Sequence, residues 1–354
     1  MDWREHPALQ RQFALAEENL RAMELFSALL NERPDYFSAS EVEAFARDCG
    51  LPRDVAFEAL LAAGCGLESD VNPRHRRLEE RYFVPALRRL DAAEYRKNPY
   101  YQTIRFPEKT LGGWQMTHQQ YKPYELFCYN DTALLKDGRE IPPIGYFTEE
   151  FSFPAVLEKG RLWMAITPNE VETMQADIDA AFGRIAVFGL GLGYYPFMTA
   201  RMDPVTEITV VERDPNAIAL FEKHLLPQFP HREKIRVVQG DAYDFLAREM
   251  GNGRFDFAYV DIWHDVLDGT PMYLRCRQLE RRAGGISFRY WVEQSMLIWL
   301  RGLALSELQA GAGRLHDLLM CRAQSPEGLL SLLSLESLHA LAPEIPLEAV
   351  EPDR

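Results

Sequence analysis

The sequence predicts an α/β fold, a doubly wound and mostly parallel sheet preceded by a helical segment and a short β-rich connector. Three observations support this prediction. Apolar, strand-like runs alternate with helix-like segments from Thr167 onward. A glycine-rich turn follows the first of these runs, and an acidic residue ends or follows each of the next three. Before them, helical periodicity gives way to a stretch rich in aromatic residues, prolines and glycines.

Composition and charge narrow the class of protein. The chain has 354 residues, 47% hydrophobic and 26% charged, which is typical of a globular protein of about two domains. Its net charge of -14 disfavours nucleic acid and anionic membranes as partners. The five cysteines are scattered and form no CxxC pair, which argues against a disulfide framework and a zinc site. We therefore expect a cytoplasmic protein.

Four segments are predicted along the chain: a helical N-terminal domain (1–98), a β-rich connector (99–166), the sheet domain (167–312) and a helical C-terminal tail (313–354). In the first segment, Ser38 or Ser40 can cap a helix that Gly50 ends, and Pro52 can begin the next helix. These two short helices could form a DNA-reading helix-turn-helix. A small helical bundle is favoured because the second helix offers a single basic residue, Arg53.

An arginine-rich stretch follows between Arg74 and Arg96, with seven arginines and four acidic residues. Val84, Leu87 and Leu90 recur there at helical spacing, so we predict a helix whose arginines lie on its solvated face. A patch for an anionic substrate is the alternative. In the connector, a hairpin strand is predicted at 162–166, after the Lys159-Gly160 turn.

The elements of the sheet domain follow from their boundaries. Thr167 is predicted to cap a helix that runs to about Phe182, with Pro168 in its first turn and Glu170 completing a capping box. Short strands are predicted at 185–188, 208–211, 235–238 and 255–260, with a fifth over 288–293. Helices are predicted between them at 194–202, 216–225, 244–250 and 271–283, the last one capped by Thr270.

The turn after the first strand suggests a nucleotide site. Gly189, Gly191 and Gly193 alternate with leucines there, and glycine lets the backbone approach a ligand closely. Glu212 ends the second strand 23 residues after Gly189, where a carboxylate can accept hydrogen bonds from both hydroxyls of a ribose. Tyr194 occupies the third glycine position of the GxGxxG pattern, which disfavours an NAD-linked oxidoreductase.

Four motifs in order, VFGLGLGYYPF, VVERD, VQGDAYDF and FDFAYVDIWHD, resemble those of class I S-adenosylmethionine-dependent methyltransferases, which have a Rossmann-like fold. The resemblance covers roughly residues 167–300 and implies S-adenosylmethionine as cofactor, a small-molecule methyl acceptor and a set of binding residues. It implies that Gly189, Gly191 and Gly193 approach the methionine part and ribose, and that Glu212 holds the ribose hydroxyls. It further implies that Asp241 and the Ala242 backbone contact adenine, that Asp261 lies beside the sulfonium, and that Leu190 and Arg213 also belong to the cofactor site.

The chain departs from this pattern in two places. Val187 stands where many members of the family have an acidic residue, two positions before the first glycine. Spermidine-synthase-like relatives also lack that acid, but they have an aspartate where Leu192 stands and further acids in the loop that begins at Asp261. Because this chain lacks those acids, aminopropyl transfer is disfavoured relative to methyl transfer and is kept as an alternative. A non-catalytic adenosylmethionine-binding protein is another alternative.

Candidate catalytic residues are Asp261 and His264, either of which could accept a proton from the acceptor. With Asp265 they could also hold a metal, but a capped loop with a solvated histidine is favoured, and no metal is predicted. Tyr290, Trp291 and Glu293 could line an acceptor pocket, although aromatic residues at a strand end more often belong to the core. Tyr194 and Tyr195, just past the glycines, could close over the cofactor. The leucine-rich tail is expected to pack on the core or on a second subunit of a homodimer.

Overall fold

The computed structural model describes residues 3–350. The chain begins with three helices: α1 (Pro7–Glu32), α2 (Ala39–Cys49) and α3 (Arg53–Gly64). The Ser38 hydroxyl accepts from the backbone N–H of Glu41, and the Glu41 carboxylate accepts from that of Ser38, so the predicted cap is confirmed. Gly50 ends α2 in the left-handed conformation, as predicted.

The arginine-rich stretch is not the single helix that we predicted. It forms α4 (Pro73–Leu78), a π-helical turn (Glu79–Phe83), α5 (Val84–Ala86), strand β1 (Leu87–Arg89) and α6 (Ala92–Arg96). Strand β1 pairs in parallel with a later strand, Ile144–Tyr146, so its backbone bonds are made across a sheet instead of along a helix. Val84 is accordingly 50% exposed, whereas Leu87 and Leu90 are buried.

The connector is rich in short strands, as expected. After α7 (Pro99–Thr103) the strands are β2 (Lys109–Leu111), β3 (Trp114–Tyr121), β4 (Phe127–Cys128), β5 (Ala133–Leu134), β6 (Glu140–Ile141), β7 (Ile144–Tyr146), β8 (Phe151–Glu158) and β9 (Arg161–Ala165). An antiparallel sheet has the order β2-β3-β8-β9, and two smaller sheets are β1-β7-β4 and β5-β6. Strand β9 follows the Lys159-Gly160 turn, which confirms the predicted hairpin.

A five-stranded parallel sheet forms the centre of the α/β region. In chain order its elements are α8 (Pro168–Asp179), β10 (Gly183–Phe188), α9 (Tyr194–Ala200), β11 (Val205–Glu212), α10 (Pro215–Leu220) with a π-helical turn (Phe221–Leu225), β12 (Ile235–Gln239), α11 (Ala242–Glu249), β13 (Phe257–Val260), α12 (Val266–Glu280) and β14 (Ser287–Tyr290). All the pairings are parallel, and the strand order is β12-β11-β10-β13-β14. The order reverses at β10, so the crevice between β10 and β13 is the point where open α/β sheets bind ligands.

Helix α8 starts where predicted but lacks the predicted cap, and helix α12 starts earlier than predicted. Thr167 lies at the N-cap of α8, but its side chain makes no capping hydrogen bond to any residue in 3–350, and Glu170 is buried. Helix α12 begins after Asp265 instead of Thr270, because Asp265 and Asp268 cap it reciprocally one and a half turns earlier. Pro271, predicted for the first turn, therefore lies inside α12.

The C-terminal helices are α13 (Glu293–Ala310), α14 (Arg314–Arg322), α15 (Pro326–Leu332) and α16 (Leu335–Leu341). Leu329, Leu333 and Leu338 are buried in the same apolar cluster as the parallel sheet, so the tail packs on the chain's own core. Short 3₁₀ turns complete the described chain: Trp3–Glu5, Leu226–Gln228, Arg232–Lys234, Met250–Asn252, Ala342–Glu344 and Leu347–Ala349.

Three apolar clusters stabilise the molecule. The largest joins the parallel sheet to Leu9 and Phe13 of α1. A second lies among the N-terminal helices and includes Phe57 and Tyr146, and the third surrounds Phe151. The division into four segments stays a prediction. Within residues 3–350, no helix is both long enough and apolar enough to cross a membrane.

Candidate functional site

A cleft opens at the carboxyl edge of the parallel sheet. Phe188 lies opposite Val211 on one side and Val260 on the other, so β10, β11 and β13 end at the same level. The residues that follow these strand ends therefore lie side by side. The cleft encloses about 710 Å³, including solvent at its mouth, and it is lined by Trp163, Met164, Gly189, Leu190, Gly191, Val211, Glu212, Arg213, Gly240, Asp241, Ala242, Tyr243, Asp261, Ile262, Trp263, His264 and Met272.

The glycine bend after β10 requires glycine at the positions that face the cleft. Gly189 has a φ of 93°, and a Cβ there would lie 1.8 Å from the carbonyl oxygen of Asp261. A Cβ at Gly191 would lie 1.9 Å from the sulfur of Met164. Both positions thus combine a left-handed backbone with a contact that excludes a side chain.

Gly193 is not among the residues that line the cleft, and its predicted cofactor contact stays a prediction. It is the N-cap of α9, and a Cβ there would lie 2.4 Å from the ring of Phe221. Gly193 is therefore needed for close packing between the bend and Phe221. The sequence pattern could not separate this packing glycine from the two glycines that face the cleft.

Glu212 connects the end of β11 to the glycine bend. Its Oε2 accepts from the backbone N–H of Leu190 at 3.2 Å, and its Oε1 accepts from that of Asp214 at 2.8 Å. Each carboxylate oxygen has two acceptor positions, so both can still accept a hydroxyl from a ligand. Glu212 thus holds the bend in place and presents acceptor capacity to the cleft.

Asp241 is the N-cap of α11. Its Oδ1 accepts from the backbone N–H groups of Tyr243 and Asp244 at 2.9 and 3.1 Å, and the side chain is exposed. Ala242 and Tyr243 line the cleft beside it, and the guanidinium of Arg275 lies 3.9 Å from the centre of the Tyr243 ring. The capping role is therefore observed, and the predicted adenine contact stays a prediction.

The two predicted catalytic residues both line the cleft. Asp261 follows β13 and is half-buried. The His264 ring is held between two neighbours: its edge meets Trp163 at a centroid distance of 4.1 Å, and its Nδ1 lies 3.4 Å from an oxygen of Asp268. His264 is therefore positioned, although it remains exposed to solvent.

Two residues of β9, Trp163 and Met164, pack against the glycine bend and were not predicted from the sequence. Trp163 and Met164 line the cleft, and the Met164 sulfur accepts from the backbone N–H of Leu192 at 3.2 Å. The hairpin itself was predictable from the Lys159-Gly160 turn. Its placement over the bend depends on packing between distant parts of the chain, for which the local sequence has no signal.

A smaller cavity, large enough for about one water-sized group, lies beneath the bend and shares several of its walls with the cleft. Its lining residues are Met164, Ile166, Glu170, Met174, Val187, Gly189, Leu190, Leu192, Tyr194, Tyr195, Pro196, Tyr259 and Asp261. Glu170 is only 9% exposed, and its Oε2 lacks a hydrogen-bond partner among residues 3–350. Burial raises the pKa of Asp261 to about 7. Burial, with the negative charge of Asp261, raises the pKa of Glu170 well above its usual range.

The aromatic residues predicted for the acceptor pocket lie in the core instead. Tyr290 donates to Glu280 at 2.8 Å, and the indole N–H of Trp291 donates to the Thr173 hydroxyl at 2.9 Å. Glu293 accepts from the hydroxyl of Tyr273 at 2.8 Å. The core alternative therefore holds for Tyr290 and Trp291, which are buried, and the polar atoms of all three residues bond to α8 and α12.

The predicted cover residues are also buried. The hydroxyl of Tyr194 accepts from the amide of Asn98 at 2.8 Å, and the ring of Tyr195 stacks on that of Tyr259 at 3.8 Å. Both side chains therefore form the floor of the small cavity and do not close over the cleft. Within residues 3–350, no group of three or more His, Cys, Asp or Glu side chains is arranged to hold a metal ion.

Comparisons with known proteins add little to this geometry. Neither protein-family models nor curated proteins match the chain. Among solved structures, a spermidine synthase from Thermotoga maritima is similar with a TM-score of 0.31 and 12% identity, over 45% of this chain and 60% of that one. The chain thus spans less than two thirds of that protein. A similarity of this size says nothing about activity, and the α/β class rests on the parallel sheet described above.

Proposed function

We propose that this chain binds S-adenosylmethionine in the cleft and transfers its methyl group to a small-molecule acceptor. One observation carries the proposal: the glycine bend, Glu212, Asp241 and Asp261 all line one cleft at the point where the strand order reverses. The strand ends thus place carboxylates along one sheet edge, where the base, the ribose and the sulfonium end of an adenosyl ligand would each meet one.

The residues present fit this ligand. Gly189 and Gly191 line the cleft without side chains of their own, which suits a close backbone approach to the methionine part and ribose. Glu212 retains acceptor capacity for two ribose hydroxyls. Asp241 and the backbone of Ala242 would contact adenine, while Leu190 and Arg213 would complete the wall.

Bound adenosylmethionine supplies a methyl group already activated by its sulfonium. The chain has to position an acceptor in line with the methyl–sulfur bond. The acceptor's lone pair then forms a bond to the methyl carbon, while the electrons of the carbon–sulfur bond stay on sulfur. A proton lost by a hydroxyl or ammonium acceptor would pass to Asp261 or His264. Both residues line the cleft, within reach of an acceptor bound there.

Aminopropyl transfer is the second candidate, and one observation favours it. The sequence lacks the acids expected at Leu192 and in the loop after Asp261, but the structure brings Glu170 and Asp261 into one small cavity beneath the bend. The two reactions leave different products. Methyl transfer yields S-adenosylhomocysteine, whereas transfer from decarboxylated adenosylmethionine yields methylthioadenosine, so mass spectrometry of reaction mixtures distinguishes them. Binding without either product would support the non-catalytic alternative.

The binding test is calorimetry with Glu212→Ala. Losing two hydrogen bonds to a charged group costs about 3 kcal/mol or more, so we expect adenosylmethionine affinity to fall by at least about 100-fold. Glu207→Ala is the matched control, because Glu207 lies exposed near the start of the same strand and should bind as the wild type does. Full affinity in Glu212→Ala would remove the ribose assignment, and a wild type that binds no adenosyl ligand would refute the proposed function.

A further inference from the structure

We propose that Glu170 and Asp261 together bind the primary ammonium group of the nucleoside ligand, with Glu170 as its principal anchor. This inference rests on the proposed function and extends it. It assigns a ligand-binding role to a residue on α8, outside the loops that follow the strands of the sheet.

The burial of Glu170 is the first argument. A carboxyl group that is 9% exposed, with an oxygen that lacks a partner among the described residues, is costly to keep in a folded protein. Glu170 lies in the first turn of α8, but the predicted capping box is not formed there, and the side chain lines the cavity. A ligand that donates hydrogen bonds to this oxygen would satisfy it.

The cavity's charge identifies the kind of ligand group. Among the described residues that line it, none is Lys, Arg or His, and the strand and bend contribute the apolar Val187 and Leu192. Two carboxyls therefore share a small space without a cation. A group that enters here has to carry positive charge and several donors, and a primary ammonium has both properties.

The cavity adjoins the part of the cleft in which the sulfonium end is proposed to lie. Gly189, Leu190 and Asp261 line both spaces, so the cavity begins where the sulfonium end would lie. In adenosylmethionine and in its decarboxylated form, the ammonium is on the third carbon from the sulfur. Adenosylmethionine also carries a carboxylate, which would meet two acids in this cavity. We therefore expect decarboxylated adenosylmethionine to bind at least as tightly as adenosylmethionine.

Ligand binding should release a proton. The neighbouring titratable groups are the phenols of Tyr101, Tyr121, Tyr194, Tyr195 and Tyr259, and burial raises the pKa of each, so they stay neutral. Glu170 and Asp261 both have raised pKa values, so the pair holds a proton near neutral pH when empty. An arriving ammonium favours the ionised carboxylates, and the proton leaves to solvent.

The test is calorimetry of the full chain with three ligands: adenosylmethionine, decarboxylated adenosylmethionine and methylthioadenosine, which has no ammonium group. In Glu170→Gln we expect affinity for the first two to fall about tenfold or more, and affinity for the third to stay unchanged. Glu172→Gln is the matched control, since Glu172 is exposed on the same helix. Titrations in buffers of different ionisation enthalpy should show proton release in the wild type and less of it in Glu170→Gln.

The outcomes separate the two proposals. Equal affinity of wild type and Glu170→Gln for all three ligands would overturn the ammonium site while leaving the adenosyl site intact. An equal loss of affinity for all three ligands would assign Glu170 a folding role and would also overturn the ammonium site. If the wild type bound none of them, the proposed function itself would fail. A preference for the decarboxylated form that Glu170→Gln abolishes would identify an aminopropyl group as the source of the ammonium.

Discussion

Replacing Gly189 by alanine would place a methyl group 1.8 Å from the carbonyl oxygen of Asp261. Since that oxygen belongs to the backbone after β13, it cannot move without displacing the strand end. The substitution also forces alanine into a φ of 93°, which costs about 1–2 kcal/mol. Overpacking adds about 1–3 kcal/mol, so we expect the free energy of unfolding to fall by about 2–5 kcal/mol.

Gly160→Ala separates these two contributions. Gly160 has a φ of 82° in the β8–β9 turn, and a Cβ there would meet no atom of residues 3–350 within 4 Å. Urea unfolding of both variants should show Gly189→Ala to be the less stable by about 1–3 kcal/mol, the contribution of the contact alone. Equal destabilisation would refute the close approach of the bend to Asp261.

The remaining predictions concern pH. Arg184 donates two side-chain hydrogen bonds and one backbone hydrogen bond to Asp256, which lowers the pKa of that carboxyl from 3.8 to about 2. The stabilisation is therefore present above pH 3.8 and is lost as pH falls through about 2, so Asp256→Asn should weaken the acid dependence of urea unfolding. An unchanged acid limb would contradict this ion pair. The pKa of Asp261 shifts in the opposite direction, because burial raises it from 3.8 to about 7. The folded state therefore holds the proton more tightly than the unfolded state does, and the free energy of unfolding should decline as pH rises between those two values. Asp261→Asn should flatten that decline and be more stable than the wild type at pH 8, and a wild-type slope in the variant would assign the decline to other groups.

The glycine bend and the carboxylates at the strand ends were predictable because their signals are local. A short apolar run followed by Gly189, or ending in Glu212, specifies a strand and the residue at its end. Parallel strands joined by helices then bring these ends to one edge. The cleft that contains Glu212, Asp241 and Asp261 follows from these rules.

The roles of Glu170, Trp163 and Met164 could not be predicted in this way. Glu170 sits three residues after Thr167, a spacing that fits a capping box as well as it fits a buried side chain. The packing of α8 beneath the bend decides between the two, and that packing depends on residues far apart in the chain. The same holds for β1, whose pairing with β7 overrides the helical spacing of Val84 and Leu87.

Hydrogen–deuterium exchange of the full chain, with and without adenosylmethionine, measures where the ligand binds. We predict slower exchange in four segments on ligand addition: the bend at 189–193, the end of β11 with 212–214, the start of α11 at 240–243, and the loop 261–264. The arginine-rich stretch at 74–96 should exchange at an unchanged rate. Saturating ligand that leaves all four segments unprotected, or that protects a different surface, would contradict an adenosyl site at this edge of the sheet.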